Sequence, residues 1–258
     1  MNPSYAYVYD DFLADRRFER DVAALETKLS TFDMSGHIGR MSLFRSAKDL
    51  VQGMVAKGAT TVVVVGNDGT LDKTMWFLPD LNITVGYVPL VGPSAVGKLL
   101  GIPMGAGACD VLAARRIETL DMGKLDDRYF LTEVSLPATV ASLSIEGKYT
   151  ISPLDGGALS VRNLGGRVGN DLVAADAKDG WLEAVVTPRS TEGKAVFWKR
   201  STTSPETRVL LQHGQIQSKD PIEAHADNHA VSGFSFHVSV VPAKLRLITG
   251  RGRRSIER

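Results

Sequence analysis

An α/β domain on a parallel sheet, followed by an antiparallel β-sandwich, is the architecture this sequence predicts. Three observations predict it. In roughly the first 130 residues, strand-like runs alternate with apolar residues at helical spacing. The strands there, above all Val62-Val63-Val64-Val65, show no polar alternation, the pattern of strands covered on both faces. From about Ile117 the helical period stops, and short apolar runs separated by Asp-Gly and Gly-Gly pairs take over.

Each element follows from its residues. Tyr5 to Tyr9 is a short aromatic and β-branched run. Phe18, Val22, Leu25, Leu29 and Phe32 recur at spacings of four and three and share one helical face. Ala47, Leu50, Val51, Met54 and Val55 repeat that pattern, with Gly58 where a helix-ending glycine belongs. Residues 60–65 and 83–88 read as buried strands and 94–100 as a short helix. In the second half, residues 139–145, 181–187, 208–212, 234–241 and 245–248 read as antiparallel strands. Glu146-Gly147, Asp155-Gly156-Gly157, Gly165-Gly166, Asp179-Gly180 and His213-Gly214 are their turns. The expected division is an α/β nucleotide-binding domain over 1–115, a β-sandwich domain over 116–248 and a basic tail over 249–258.

Composition narrows the function classes. Of 258 residues, 43% are hydrophobic and 23% charged, and the net charge is +1. These are globular averages, and they leave no general basic field for nucleic acid. Arg251, Arg253, Arg254 and Arg258 form a local basic tail, read as a solvated terminus. Cys109 is the single cysteine, so no internal disulfide is available and a reducing, cytoplasmic setting is expected. The opening MNPSYAYVYDD lacks the basic and apolar segments of a signal peptide. No apolar run is read as reaching the ~20 residues of a membrane span. His213, His225, His229 and His237 show no zinc spacing and read as surface or hairpin residues.

Chemistry concentrates where the valine strand empties into Gly66-Asn67-Asp68-Gly69-Thr70. In an open parallel sheet, ligands bind beyond the carboxyl ends of the strands. Glycines let the backbone approach a phosphate, and a helix beginning near Thr70 offers free N–H groups and a positive dipole end. Asp68 would hold a magnesium ion or orient a hydroxyl, and Thr70 would cap the helix. The same residues read equally as turn chemistry with a helix cap. Taken alone, they leave both readings open.

The segment resembles the Gly-Gly-Asp-Gly-Thr signature of the diacylglycerol kinase, sphingosine kinase and NAD kinase superfamily. VGYVPLVGPSAVGKLLGIP (85–103) is similar to the second nucleotide loop of that family, and Pro89-Leu90 and Leu100-Gly101-Ile102-Pro103 match its spacing. RRIETLDMGKLDDRYFL (115–131), SIEGK (144–148), VRNLGGRVGNDLVAADAKDGWLEAVV (161–186) and HADNHAVSGFSFHVSVVPAKLRLI (225–248) continue the likeness in order. The β-half matches resemble bacterial lipid kinases related to diacylglycerol kinase more than NAD kinase. The departures lie at the chemistry. Asn67 replaces a glycine and is expected to take its positive φ. Val91 to Ala95 replace a Gly-Thr-Gly-Asn-Asp run, and Asp227-Asn228-His229 replace Asp-Gly-Glu. TEVSLPATVASL (132–143) is shorter than the usual intervening segment.

The resemblance implies an N-terminal NAD kinase-like domain with ATP and Mg2+ as cofactors. It implies that Gly66, Asn67, Asp68, Gly69, Thr70, Gly92 and Ser94 line the nucleotide. Asp227 would be the base for the acceptor hydroxyl, with His229 on the same side of an extended strand; the alternative is a turn aspartate. A structural magnesium site would map to the Asp179 carboxylate with Asp176 and Trp181 as main-chain ligands, the alternative being an ordinary Asp-Gly turn. The implied activity is transfer of the γ-phosphate of ATP to a hydroxyl of diacylglycerol or a related lipid in phospholipid metabolism. The partners implied are ATP, a lipid or other hydroxyl-bearing small molecule, a transient membrane-surface contact and a second copy in a homodimer, with no nucleic acid. The alternatives are a catalytically impaired regulator that binds nucleotide or lipid, and a kinase with a soluble acceptor such as NAD.

Overall fold

The computed structural model describes residues 4–42, 45–168, 171–188 and 206–253. Arg254 and Arg258 of the basic tail lie outside the described residues. Two compact units form, one from Met1–Leu120 with Ala243–Arg258, the other from Asp121–Pro242.

The first unit alternates strand and helix: Tyr5–Tyr9 (β1), Glu19–Thr31 (α1), Gly36–Arg40 (β2), Ala47–Ala56 (α2), Thr61–Gly66 (β3), Asp68–Met75 (α3), Thr84–Pro89 (β4), Ala95–Leu100 (α4) and Ala108–Ala114 (α5). Its strands pair in parallel in the order β4-β3-β1-β2. Val62 to Val65 are fully buried, each contributing ~1.5–3 kcal/mol relative to exposure. Val22, Leu25 and Leu29 are the buried stripe of α1, whereas Phe18 caps one end and Phe32, capping the other, is 40% exposed. In α2 the buried residues are Leu50, Val51 and Met54, and Gly58 follows at φ 96°. From β1 the chain steps to β2 on one side and later to β3 on the other, so the sheet reverses its direction of growth between β1 and β3. In open sheets of this kind, ligands bind at such a switch point, beyond the carboxyl ends of the strands.

Two expectations change here. Residues 95–114 do reach the length and mean hydropathy of a span, 1.3. Gly101 at φ 68° and Pro103 break the stretch into α4 and α5, with a 3-10 turn between them. One described residue of the tail is also less solvated than its charge suggested, while Arg251 is exposed. Arg253 is buried to 5% exposure in an ion pair with Glu118, whose other oxygen accepts from Thr249 Oγ1 at 2.8 Å. Gly250 N–H donates to Leu100 O at 2.9 Å.

The second unit is antiparallel throughout its described residues. Its strands are the end of Ile117–Leu125 (β5), then Arg128–Phe130 (β6), Glu133–Leu136 (β7), Ser142–Ile145 (β8), Tyr149–Ile151 (β9), Ala158–Arg162 (β10), Gly165–Val168 (β11), Asp171–Ala174 (β12), Leu182–Thr187 (β13), Thr207–Leu211 (β14), His213–Ala226 (β15) and the start of His229–Ile248 (β16). β15 pairs with β8 near its start (Gly214↔Ile145) and with β7 at its end (His225↔Ser135). One strand therefore feeds two groups of strands. Both groups fill one core, with Leu143 and Ile145 from β8 and Leu136, Val161, Ala184 and Leu211 from the β7–β10–β13–β14 side. This is the sandwich the period change predicted.

Three details differ from expectation. Residues 234–241 and 245–248 are one continuous strand, and its last part pairs in parallel with β4 (Arg246↔Thr84), so Ala243 onward belongs to the first unit. The division falls at Leu120/Asp121 rather than 115/116. Gly165-Gly166 and His213-Gly214 lie inside strands rather than in turns. β2 and α5 carried no periodic signal strong enough to read.

Candidate functional site

The expected loop lies at the switch point. Gly66 is the last residue of β3, and a Cβ there would stand 2.1 Å from Thr70 Oγ1, so the turn closes this tightly only with glycine. Asn67, not Thr70, caps α3. Its Oδ1 accepts from Thr70 N–H (2.9 Å), while Thr70 Oγ1 accepts from Asn67 N–H (3.0 Å), a reciprocal capping box. The positive φ expected of Asn67 is absent: it is extended at φ −132°, because a cap residue needs β geometry. The helix starts at Asp68, two residues earlier than expected.

Thr70 is fully buried, and its hydroxyl donates to Asp10 Oδ2 at 2.6 Å. Asp10, 1% exposed, directly follows β1 and accepts from Asp11 N–H (2.8 Å) and from Lys73 Nζ (2.9 and 3.0 Å). Burial pushes its carboxyl up, but the hydrogen bonds from Asp11, Thr70 and Lys73, with the charge of Lys73, hold it below the ordinary aspartate value. Sequence reasoning missed Asp10 and Lys73. An acidic residue directly after the first strand, at the same end as the acidic turn after β3, was the available signal.

Asp68 does not face open space with a free carboxylate. Its Oδ1 accepts from Tyr87 Oη (2.9 Å) and Ser94 Oγ, and its Oδ2 from the N–H groups of Ala95 (2.8 Å) and Val96 (3.3 Å). It thereby latches the first loop to the start of α4. Ser94, 3% exposed, caps α4 through Gly97 N–H at 2.7 Å. Burial, then the Asp68 charge, push the Tyr87 hydroxyl far above its ordinary value, so it stays a donor. Tyr87 sits within a buried strand and gave no sequence signal. Gly92, at φ 73°, has open space where a Cβ would stand, and a Cβ on Gly69 would meet only Asn67 Oδ1, at 3.2 Å. These two glycines and the α3 turn form a side-chain-free surface suited to a phosphate.

Asp227, read as the base, is the first residue of the two-residue turn between β15 and β16, at φ 53°. Its carboxylate accepts from the N–H groups of Leu131 (2.7 Å), Thr132 (2.7 Å) and Glu133 (3.3 Å) and from Thr132 Oγ1. Because Asp227 is in the turn and His229 opens the next strand, strand alternation does not align the two as expected.

At the third place, Asp179 Oδ1 accepts from Trp181 N–H (2.9 Å) and Asp176 Oδ1 from Lys178 N–H (3.1 Å). Gly180 N–H donates to buried Asp121 (2.8 Å), which the sequence reading missed. Among the described residues, no three carboxylate, imidazole or thiol groups converge. Both Asp68 oxygens are thus engaged within the chain, whereas at this turn one carboxylate oxygen each of Asp176 and Asp179 accepts from a main-chain N–H.

Residues 8–125, which hold the switch-point turn and the latched second loop, match the diacylglycerol kinase catalytic domain. Those residues resemble that catalytic domain in divergent form. Two curated relatives are diacylglycerol kinases of Mycobacterium tuberculosis, strains CDC 1551 / Oshkosh and ATCC 25618 / H37Rv. Each is 29% identical over 83 residues, 31% of this chain and 27% of the relative's length. The chain thus aligns with about a quarter of the curated relatives it matches. A diacylglycerol kinase structure from Bacillus anthracis str. Sterne superposes with TM-score 0.78 at 15% identity, covering 97% of this chain and 98% of that one. A second structure from the same strain gives 0.78 over 96% and 97%. At this identity the likeness is one of fold. The two-part fold implied by the motif series is therefore this chain's fold.

Proposed function

We propose that this chain is a phosphotransferase that moves the γ-phosphate of ATP to a hydroxyl of diacylglycerol or a related lipid. The observation that carries the reading is the Gly66–Thr70 turn at the switch point, inside a match to a family of kinases. Gly66, Asn67, Gly69, Thr70 and Gly92 would hold the nucleotide phosphates by main-chain contact, with Ser94 fixing the second loop. When bound, a divalent cation would neutralise phosphate charge. Asp68 could serve it only by giving up Tyr87, Ser94 or the start of α4. Acceptors of this kind would bring the protein transiently to a membrane surface.

One set of contacts favours a second reading, a regulator that binds nucleotide or lipid without turnover. Asp68 and Asp227 each spend both carboxylate oxygens on donors within the chain. Labelled ATP incubated with a mixed lipid panel, beside a panel of soluble polyols and NAD, separates these readings. Phosphate on a lipid supports the lipid kinase, and phosphate on a soluble acceptor replaces it. Nucleotide binding without transfer to any acceptor moves the assignment to the regulator.

A further inference from the structure

Lys73 lies one turn of α3 beyond Thr70, so the two side chains share a face of the helix. Its ammonium reaches back to the end of β1, 2.9 Å from Asp10 Oδ1 and 3.0 Å from Asp10 Oδ2. Asp10 is 1% exposed, whereas the Lys73 side chain is 53% exposed. The pair joins a buried anion to a cation that solvent reaches. It also stands beside the turn assigned above to phosphate. Asp10 Oδ2 accepts from Thr70 Oγ1 (2.6 Å), which in turn accepts from Asn67 N–H (3.0 Å). Asp10 is thus two hydrogen bonds from the main chain of that turn. Burial works against its ionisation, but the hydrogen bonds from Asp11, Thr70 and Lys73, with the Lys73 charge, outweigh it. An ionised carboxylate this close repels a polyphosphate unless a cation offsets it. Asp11, Asp68 and Asp72 lie on the same two segments, and the N–H groups of the turn carry only partial charge.

Resting on the phosphotransferase reading, we propose that Lys73 contacts the phosphates of the bound nucleotide directly, with Asp10 as the residue that positions its ammonium. An ammonium carries three donors, and the two oxygens of Asp10 engage at most two of them. At least one remains for a phosphate oxygen. The ion pair already orders the four-carbon stem, so less side-chain entropy is lost when a phosphate arrives. Asp10 is itself held by Thr70 Oγ1 and by Asp11 N–H (2.8 Å). Thr70 therefore acts at two places. It closes the turn with Asn67, and it anchors the carboxylate that aims Lys73. Every group in this arrangement belongs to the first unit.

The test titrates the whole chain with ATP and, separately, with inorganic triphosphate, as wild type, Lys73→Met, Asp10→Asn and the double variant. A hydrogen bond to a charged group corresponds to roughly 10–100-fold in affinity, and Lys73→Met should weaken both ligands by that factor. Triphosphate has no base or sugar, so an equal loss on it places the contact on phosphate. A lysine that served only to neutralise Asp10 would weaken binding too, and the Asp10→Asn background separates the two roles. There the asparagine oxygen still accepts from the ammonium, and no buried charge needs a partner. Direct contact predicts that adding Lys73→Met to Asp10→Asn weakens ATP by a further tenfold or so. No further loss in that background overturns the proposal, as does a Lys73→Met affinity within about threefold of wild type. Both results leave the kinase reading intact. A loss seen with ATP and not with triphosphate also overturns the contact. If Lys73→Met alone does not fold by its thermal melt, the comparison within Asp10→Asn decides. A wild type that binds both ligands and phosphorylates no acceptor, with the Lys73 loss present, keeps the phosphate contact and removes the kinase reading. A wild type that binds neither ligand overturns both.

Discussion

Replacing Asp68 by alanine removes one acceptor that four donors share. Tyr87 Oη, Ser94 Oγ and the Ala95 N–H are the close partners, and the Val96 N–H is more distant at 3.3 Å. A hydrogen bond to a charged group contributes ~1.5–3 kcal/mol net, so three of them set an upper figure of about 4–9 kcal/mol. Two relaxations reduce it. Tyr87 Oη and Ser94 Oγ are 3.5 Å apart and can bond each other. Asp68 is also only half-buried, so water reaches the vacated N–H of Ala95. The expected loss is about 2–4 kcal/mol. Asp68→Asn behaves differently. Its amide oxygen can accept from Ala95 and Val96, its NH2 can donate to the hydroxyl oxygens of Tyr87 and Ser94, and the hydroxyl hydrogens rotate to suit. The expected cost is about 1 kcal/mol. Urea titration followed by far-UV circular dichroism reads both, through the midpoint at constant m. An ATP titration of the folded asparagine variant then isolates any role of the charge. An alanine variant within ~0.5 kcal/mol of wild type would refute the latch.

Four further outcomes are expected. The lowered pKa of Asp10 means that it adds stability above its unfolded value, lost as pH falls through the folded one. The stability gap between wild type and Asp10→Asn should therefore be widest near neutrality and close below about pH 4; a constant gap contradicts the assignment. Gly66→Ala should cost ~1–3 kcal/mol and lower the melting temperature, because its Cβ collides with Thr70 Oγ1; an unchanged melt would contradict the tight turn. Asp227→Asn should cost about 1–3 kcal/mol in urea, since its amide oxygen can still accept from Thr132 and Glu133 while its NH2 would face the Leu131 N–H; wild-type stability would show that bond to be dispensable. Burial pushes the Cys109 thiol up to about 11, so native protein should react slowly with maleimide and denatured protein quickly; equal rates would mean an accessible thiolate.

Local periodicity is a property of the chain, and it determined much of this protein. Val62 to Val65 without polar alternation pointed to a doubly covered strand, and Val22, Leu25 and Leu29 to the stripe of a helix. The collinear motifs located the loop after β3 and the change to antiparallel strands. What the chain could not reveal was which distant groups meet those residues, because contact between separate elements depends on how the backbone returns. Asp10 reaches Thr70 only because β1 lies beside β3, and Tyr87 and Ser94 reach Asp68 only because β4 lies on the other side of β3. The same reason applies to Asp227. Its residue type suggested a base, but the return of β15 beside β7 brought the N–H groups of 131–133 to its carboxylate and set Glu133 beside it. The sequence supplied the charged and hydroxyl groups. Tertiary packing decided which of them retain a free lone pair, because a hydrogen bond depends on ångström-scale distance and direction that no one-dimensional pattern encodes.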